Sequence, residues 1–432
     1  MTSRRGGGTA STMLVALGVA IAPAVAAQES EESLFKFRGY VEWISAVRWI
    51  EPVGASPNPG NDLLRLPQWE GQSELRPSLR VEAGSRWQLV IRPRVIARGG
   101  KITSRSLPDE WEGDLSANWT ELYLAWQPND TLLVTYGLQN FQWGPAELLA
   151  PSNRIFHETG VFRDPLYYVR GRHLARVNLS IGKEWSLVAL AELGSNGEAS
   201  FVANEPFRRQ GQVKMEYSAP SGSGYLGVTA GARLDSRPWF GEYGSISLTD
   251  GLSAYIDATH AKGSHAWYPV ATEPGRAAFV QRDLEADSWR TLALTGLRYT
   301  FANGVDMRGE FMYQDAGYSA REMDLAARAA STATTREAFE PYLYPGLEFL
   351  GRHMALASVR VPDLPPRKHL VVDGRYLWSF TDESGVAFVT ASLEAADALV
   401  LFVSAALSNG GETDEFSRLA SATIVGGAVY TW

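Results

Sequence analysis

The stretch from Phe35 to Trp49, FKFRGYVEWISAVRW, alternates two kinds of side chain without a break. Phe35, Phe37, Gly39, Val41, Trp43, Ser45, Val47 and Trp49 fall on one face, and Lys36, Arg38, Glu42 and Arg48 on the other. A period of two is that of a β-strand, and this run is well beyond the usual ~5–6 residues. Its length and its aromatics near both ends suit a tilted bilayer crossing, where ~9–11 residues span the hydrocarbon and aromatic girdles mark the interfaces.

The pattern recurs along the chain. SELRPSLRVEAG sets Leu75, Pro77, Leu79 and Val81 against Glu74, Arg76, Arg80 and Glu82, and RWQLVIRPRVIAR sets Trp87, Leu89, Ile91 and Val95 against Gln88, Arg92, Arg94 and Arg98. Similar runs follow near 118–128, 131–141, 172–182, 185–194, 208–218, 224–234, 239–249, 252–261, 289–301, 304–314, 352–361, 368–380, 385–394, 397–408 and 417–432. They predict an all-β, antiparallel transmembrane barrel of 16 to 18 strands, 18 being the direct tally. The joints largely alternate between short turns and long segments at 51–72, 99–117, 142–171, 195–207, 262–288 and 315–351, as in barrels with short periplasmic turns and long outer loops. Brief joints at 235–238 and 381–384 on the long side leave 16 open. The segment 319–353 has helical spacing in Met323, Leu325, Ala326, Ala329 and Ala330, which predicts a packed outer loop or lid.

Hydrocarbon cannot satisfy backbone N–H and C=O groups, so strands cross a bilayer only as a closed barrel. A soluble sandwich or propeller is the rival, and its strands are shorter. The first residues read as an export signal: Arg4 and Arg5, an apolar run from Met13 to Ala22, then Ala24, Val25 and Ala26. We expect residues 1–27 to be a cleaved signal peptide and 28–432 a single barrel domain. Cleavage removes two arginines and no acid, taking the formal charge from −8 to −10; an acidic chain argues against a nucleic-acid partner. The absence of cysteine excludes a disulfide framework.

The final residues, SATIVGGAVYTW, carry Ile424, Gly426, Ala428, Tyr430 and Trp432 at alternate places. This resembles the terminal strand of Gram-negative outer-membrane β-barrels, where such a stripe and a final aromatic are the assembly signal; Trp432 departs from the commoner Phe. ELYLAWQPNDTLLVTYGLQNFQWG (121–144) looks like the strand, tight turn, strand and Gly-x-Gln segment of porin-like and alginate-export-like barrels. The resemblance covers nearly the whole mature chain in architecture. It implies a channel in the bacterial outer membrane for small hydrophilic solutes, anions included. Its partners would be outer-membrane lipid, the barrel-assembly machinery and further copies of the chain. An export conduit for an acidic polysaccharide is the alternative, and a closed barrel with a surface glycan-binding or structural role is a third reading. The first strand starts too soon after the signal to leave room for a plug or hatch.

Two groups of residues are the candidate site. With apolar faces turned to lipid, Arg76, Arg80, Arg92, Arg94, Arg98, Arg308 and Arg375 point into the lumen, because a cation at mid-bilayer costs roughly 2–4 kcal/mol. Fixed guanidinium charge would favour anions, unless Glu74, Glu82, Glu121, Asp306, Glu310 and Asp373, which face the same way, neutralise it. The second group lies in the third long segment, the position of the inward-folding constriction loop of general porins: Trp143, Gly144, Glu147, Asn153, Glu158 and Asp164. We expect PAELLAP (145–151) to form a short helical turn, and the loop acids to oppose Arg76, Arg80, Arg92 and Arg94 across the passage. No catalytic residue, metal site or cofactor is expected: the six histidines, His157, His173, His260, His265, His353 and His369, show no ligand spacing, and no phosphate-binding glycine loop is present.

Overall fold

The computed structural model describes residues 35–53, 58–156, 165–194, 207–234, 237–264, 266–281, 288–365 and 369–432. The expected signal peptide lies outside them, as do His157, Glu158, Asp164 and His265. The wall begins with β1 (Phe35–Pro52), β2 (Pro67–Ala83), β3 (Trp87–Ile102), β4 (Glu110–Asn129), β5 (Leu132–Gln139) and β6 (Arg172–Ile181). It continues through β7 (Trp185–Gly194), β8 (Gln210–Ser218), β9 (Gly224–Arg233), β10 (Pro238–Ser247) and β11 (Leu252–Lys262). A hairpin of β12 (Trp267–Glu273) and β13 (Arg276–Gln281) stands apart from the wall. Then come β14 (Trp289–Thr300), β15 (Asp306–Gln314), α1 (Ala320–Ser331), α2 (Arg336–Leu343), β16 (His353–Val361), β17 (Leu370–Ser379), β18 (Gly385–Ala396), β19 (Leu399–Asn409) and β20 (Ala420–Thr431).

Eighteen of these strands form one antiparallel sheet, and β1 pairs with both β2 and β20, so the sheet closes on itself. β9 pairs with β10 and β17 with β18 directly, so both brief outer joints are real and the count is 18 rather than 16. At the seam Trp43 lies opposite Tyr430 and Trp49 opposite Ile424, while Val41 and Trp432 exchange backbone hydrogen bonds of 3.0 and 3.1 Å.

The sequence reading fails in two regions of the wall. The segment 51–72 is shorter than expected, because β2 starts at Pro67 and pairs Trp69 with Trp49. The segment 99–117 is not a long loop: β3 runs on to Ile102 and β4 starts at Glu110, leaving 103–109 as the joint. Gly99, Gly100 and Gly113 interrupt the alternation and read as turns, yet the ladder continues with Asp114 opposite Arg98.

Alternation then sorts the side chains. Exposed on the outer surface are Trp43, Leu79, Val95, Leu124, Val177, Val213, Val228, Ile256, Leu297, Val389 and Val403, among other apolar residues. Aromatic contacts mark two levels: Trp87–Trp126 at 5.7 Å and Tyr430–Trp432 at 5.4 Å toward the short turns, Phe240–Trp289 at 5.4 Å and Tyr136–His173 at 5.3 Å toward the long loops. That banded apolar exterior is a bilayer-facing surface. Among the described residues no helix is long and apolar enough to cross a membrane; the strands cross.

The outer loops build a small core of their own. Ser319 caps α1 in a reciprocal capping box with Glu322, and Thr335 caps α2 by accepting from the Ala338 N–H. The helical spacing buries Met323, Ala326, Ala329 and Ala330. Most of these pack with Phe339, Tyr342, Tyr318 and Leu350, with Ala266 and Tyr268 of the β12–β13 region, and with Leu63 and Leu64. The loop 410–419 ties in through Glu415, whose carboxylate accepts from the Leu350 and Gly351 N–H groups, and through Arg418, which donates to the Tyr342 carbonyl at 3.2 Å.

Candidate functional site

The candidate site is the segment that leaves the end of β5; its described parts, 140–156 and 165–171, lie inside the barrel. Asn140 donates its backbone N–H to Glu121 at 3.2 Å, and Phe141 lies beneath the Arg176 guanidinium, 4.0 Å from its carbon. Trp143 then enters an apolar cluster with Ile155, Phe156, Leu174, Val188, Leu190 and Tyr243, so the segment is seated on the inner faces of β6, β7 and β10. Gly144 has φ of +103°, and a Cβ there would strike the Asp257 carboxylate. A tight backbone approach to a buried acid therefore requires glycine at this position.

The next residues cross to another part of the wall. Glu310 of β15 accepts the Glu147 N–H at 2.6 Å, the Leu148 N–H at 2.7 Å and the Tyr255 hydroxyl at 2.6 Å. The expected helical turn at 145–151 does not form: a wall carboxylate takes the N–H groups that a helix start would leave open. The Glu147 side chain, 5% exposed, meets Arg308 Nε at 3.2 Å and Arg375 Nε at 3.1 Å. Leu148 and Leu149 pack against Tyr255, Leu292, Leu294, Met312, Met354, Leu356, Leu377 and Phe388. Asp257 of β11 accepts the Ser152 N–H at 2.6 Å, and the Ser152 carbonyl accepts from Thr229 at 3.3 Å. Asn153 holds the turn itself, accepting from Phe156 N–H at 3.1 Å and donating to the Phe141 carbonyl at 3.2 Å.

After the undescribed residues 157–164, the segment docks on the opposite wall. Arg76 donates to the carbonyls of Pro165 at 3.0 Å and Leu166 at 3.2 Å, and Arg94 to that of Leu166 at 3.5 Å. Leu166 packs with Ile44, Ala46, Phe402 and Val425, and Tyr168 lies beneath the Arg94 guanidinium. The segment is thus pinned on β6–β11, on β15–β17 and on β1–β3.

These contacts redistribute the expected roles. Glu147 faces Arg308 and Arg375, not the arginines of β2 and β3; those two strands hold backbone carbonyls instead. Arg94 is 1% exposed on its side chain and locked to Glu74, with its Nε 2.7 Å from Oε2, while Arg76 reaches the same oxygen at 2.8 Å. Arg94 and Arg375 are therefore buried under the loop. Arg308 also meets Asp306 at 3.3 Å, and Arg375 meets Asp373 at 2.8 Å. Arg92 pairs with Glu121 yet keeps 38% of its side chain exposed. Arg98 is exposed and donates to Gln72 at 3.0 Å; Arg80 is exposed and stands opposite Arg38 in the ladder.

Asp257 is the functional residue that the reading of the sequence missed. Its signal was present: an acid at an inward place in LSAYIDATHAK, between Tyr255 and Thr259, and the one acid of that strand. Ile424, Tyr430 and Trp432 lie on the outer surface at 40%, 42% and 44% exposure. Among the described residues no group of three His, Cys, Asp or Glu is placed to hold a metal.

No family model and no curated protein matches the chain. Solved structures do. OccAB1 of Acinetobacter baumannii is similar at a TM-score of 0.54 and 11% identity, over 92% of this chain and 96% of that one. OccK7 (OpdD) of Pseudomonas aeruginosa gives 0.53 and 10%, over 92% and 98%. OprD of Pseudomonas aeruginosa gives 0.50 and 8%, over 91% and 94%. At these identities the likeness is one of fold: a closed barrel of this size and order.

Proposed function

We propose that this chain is a channel of the bacterial outer membrane that passes small hydrophilic solutes, its bore set by the segment 140–171. The observation that carries the reading is the seating of that segment inside a closed wall, through Glu310 and Asp257 on one side and Arg76 and Arg94 on the other. Barrels of this strand number leave a lumen of channel width, and a loop held to both sides narrows it. Likeness in fold to the OprD and Occ outer-membrane porins supports the same reading.

Anion preference would arise from Arg80, Arg92 and Arg98, which are more exposed than Arg76 and Arg94 among the candidate arginines of β2 and β3. Fixed positive charge on one side of a narrowed passage favours anions. The outward stripe of Ile424, Tyr430 and Trp432 is the surface that the barrel-assembly machinery would read. Planar-bilayer conductance of the refolded barrel under a salt gradient tests both parts. A stable open channel with anion preference is expected; absence of any conductance sinks the channel reading, and cation preference sinks the role given to the arginines.

A further inference from the structure

β4 has 20 residues and β5 has 8, and the mismatch leaves part of the wall with an open edge. β3 pairs with β4 from Glu110 through Trp126, whereas β5 pairs with it only from Leu122 onward. The cause is the seated segment: at Asn140 the chain turns into the barrel instead of continuing beside β4. On that side the last contact is the Gly171 N–H, which donates to the Thr120 carbonyl at 2.9 Å. Among the described residues, nothing pairs with the backbone of 110–118 along this edge. The edge stands in water. Glu110, Glu112 and Asp114 take alternate places on the inward face and are exposed, where hydrocarbon would not hold them. Glu110 pairs with Arg65, while Glu112 lies opposite Gly100 and Asp114 opposite Arg98. On the outward face Trp111 and Leu115, 73% and 74% exposed, stand on either side of Gly113.

An open strand edge is a template for another strand, and charge is one of the devices that guard it. These acids guard it selectively. The β4 of a second copy would set acid against acid across the ladder, which is destabilising. A strand with Lys or Arg at alternate places and apolar residues between them meets opposite charge on one face, and Trp111 and Leu115 on the other. We propose that residues 110–118 bind an extended basic polypeptide by strand addition, from the long-loop side of the wall. The ladder of N–H and C=O groups supplies the affinity, and the two faces supply the selection. The site does not depend on what the barrel passes, only on the turn at Asn140 that bares β4.

The test uses the full chain in nanodiscs of zwitterionic lipid at physiological salt. The probe is a fluorescent peptide of alternating lysine and valine, its binding read by anisotropy. A control peptide, N-methylated at alternate amides, keeps the charge and the side chains but loses the ladder. The unmodified peptide is expected to bind at least about tenfold more tightly than the control, a difference of about 1.4 kcal/mol. The double variant Glu112→Gln, Asp114→Asn should weaken it about as much while keeping its heat-modifiable barrel band on gels. Hydrogen exchange gives a second reading: alternate amides in 110–118 should exchange freely in the unliganded chain and slow when the peptide is bound. Equal binding of the two peptides would assign the attraction to charge alone and overturn the proposal. Absence of binding overturns it too, as does an edge already protected before any peptide is added.

Discussion

Replacing Glu147 with Gln removes one negative charge from the lumen while keeping the side chain's shape. Arg308 and Arg375 each lose a partner at 3.2 and 3.1 Å but keep Asp306 and Asp373. The backbone seat does not depend on this carboxylate, because Glu310 holds the Glu147 and Leu148 N–H groups. The loop should stay in place and the local charge become more positive by one. For an ion passing ~4–8 Å away in water, that charge is worth about 0.5–1 kcal/mol, favourable for an anion and unfavourable for a cation, so the anion-to-cation permeability ratio rises about five- to thirtyfold. The zero-current potential of single channels under a salt gradient reads that ratio directly, and unitary conductance reports whether the loop has moved. An unchanged potential with unchanged conductance would mean that solutes do not pass near Glu147, and the placement of the narrowing would be wrong.

Glu310→Leu removes the acceptor of three hydrogen bonds, each worth about 1.5–3 kcal/mol when the acceptor is charged; the loop should unseat, giving noisy and larger conductance with the barrel's heat stability little changed, and quiet traces of normal size would refute the seat. Gly144→Ala combines φ of +103° with a clash against Asp257 and should cost about 1–3 kcal/mol, seen as faster proteolysis within 140–171; equal protease resistance would count against it. Burial pushes Glu415, in the outer loop 410–419, from an ordinary 4.5 up to about 7. A carboxyl whose folded pKa is raised favours the folded loops while it keeps its proton, so their packing should be firmest below pH ~4.5 and lose about 3 kcal/mol as pH rises to ~7. Hydrogen exchange at the Leu350 and Gly351 amides, corrected for intrinsic rate, should accelerate over that range and be flat in Glu415→Gln; protection that grows with pH would contradict the assignment.

The wall was legible because one constraint wrote it everywhere. Lipid on one side and water or loop on the other force the same period on each strand, and even the long outer loops revealed themselves by breaking it. The failures have a local cause: Gly71, Gly99, Gly100 and Gly113 carry no side chain to show a face, so three strand ends, the start of β2 among them, read as loop. The candidate site was legible in part. Gly144, Pro145 and Glu147 marked the segment, and inward parity marked the arginines and Glu310. What pairs with what was not, since Glu147 and Arg375 lie more than two hundred positions apart in sequence and only the three-dimensional path of the loop decides that they meet rather than Glu147 and Arg92. Asp257 was passed over because its partner is a backbone N–H, which leaves no trace in side-chain pattern.

The seam between β1 and β20 also separates two kinds of event in the making of the barrel. Every other seam joins strands that follow one another around the wall and can zip as soon as both exist, whereas Glu42 must find Thr431 from the far end of the chain. Relative to a ten-residue hairpin, closing so long a loop adds on the order of 3 kcal/mol of chain entropy, recovered only when the whole ladder from Glu42 to Pro52 registers. Until then the half-made wall carries two open edges, each a strand's length of unpaired backbone. The step that ends this state is one of timing rather than of local affinity, and whatever holds the β1 edge until β20 arrives governs whether the chain becomes a closed wall or an aggregate.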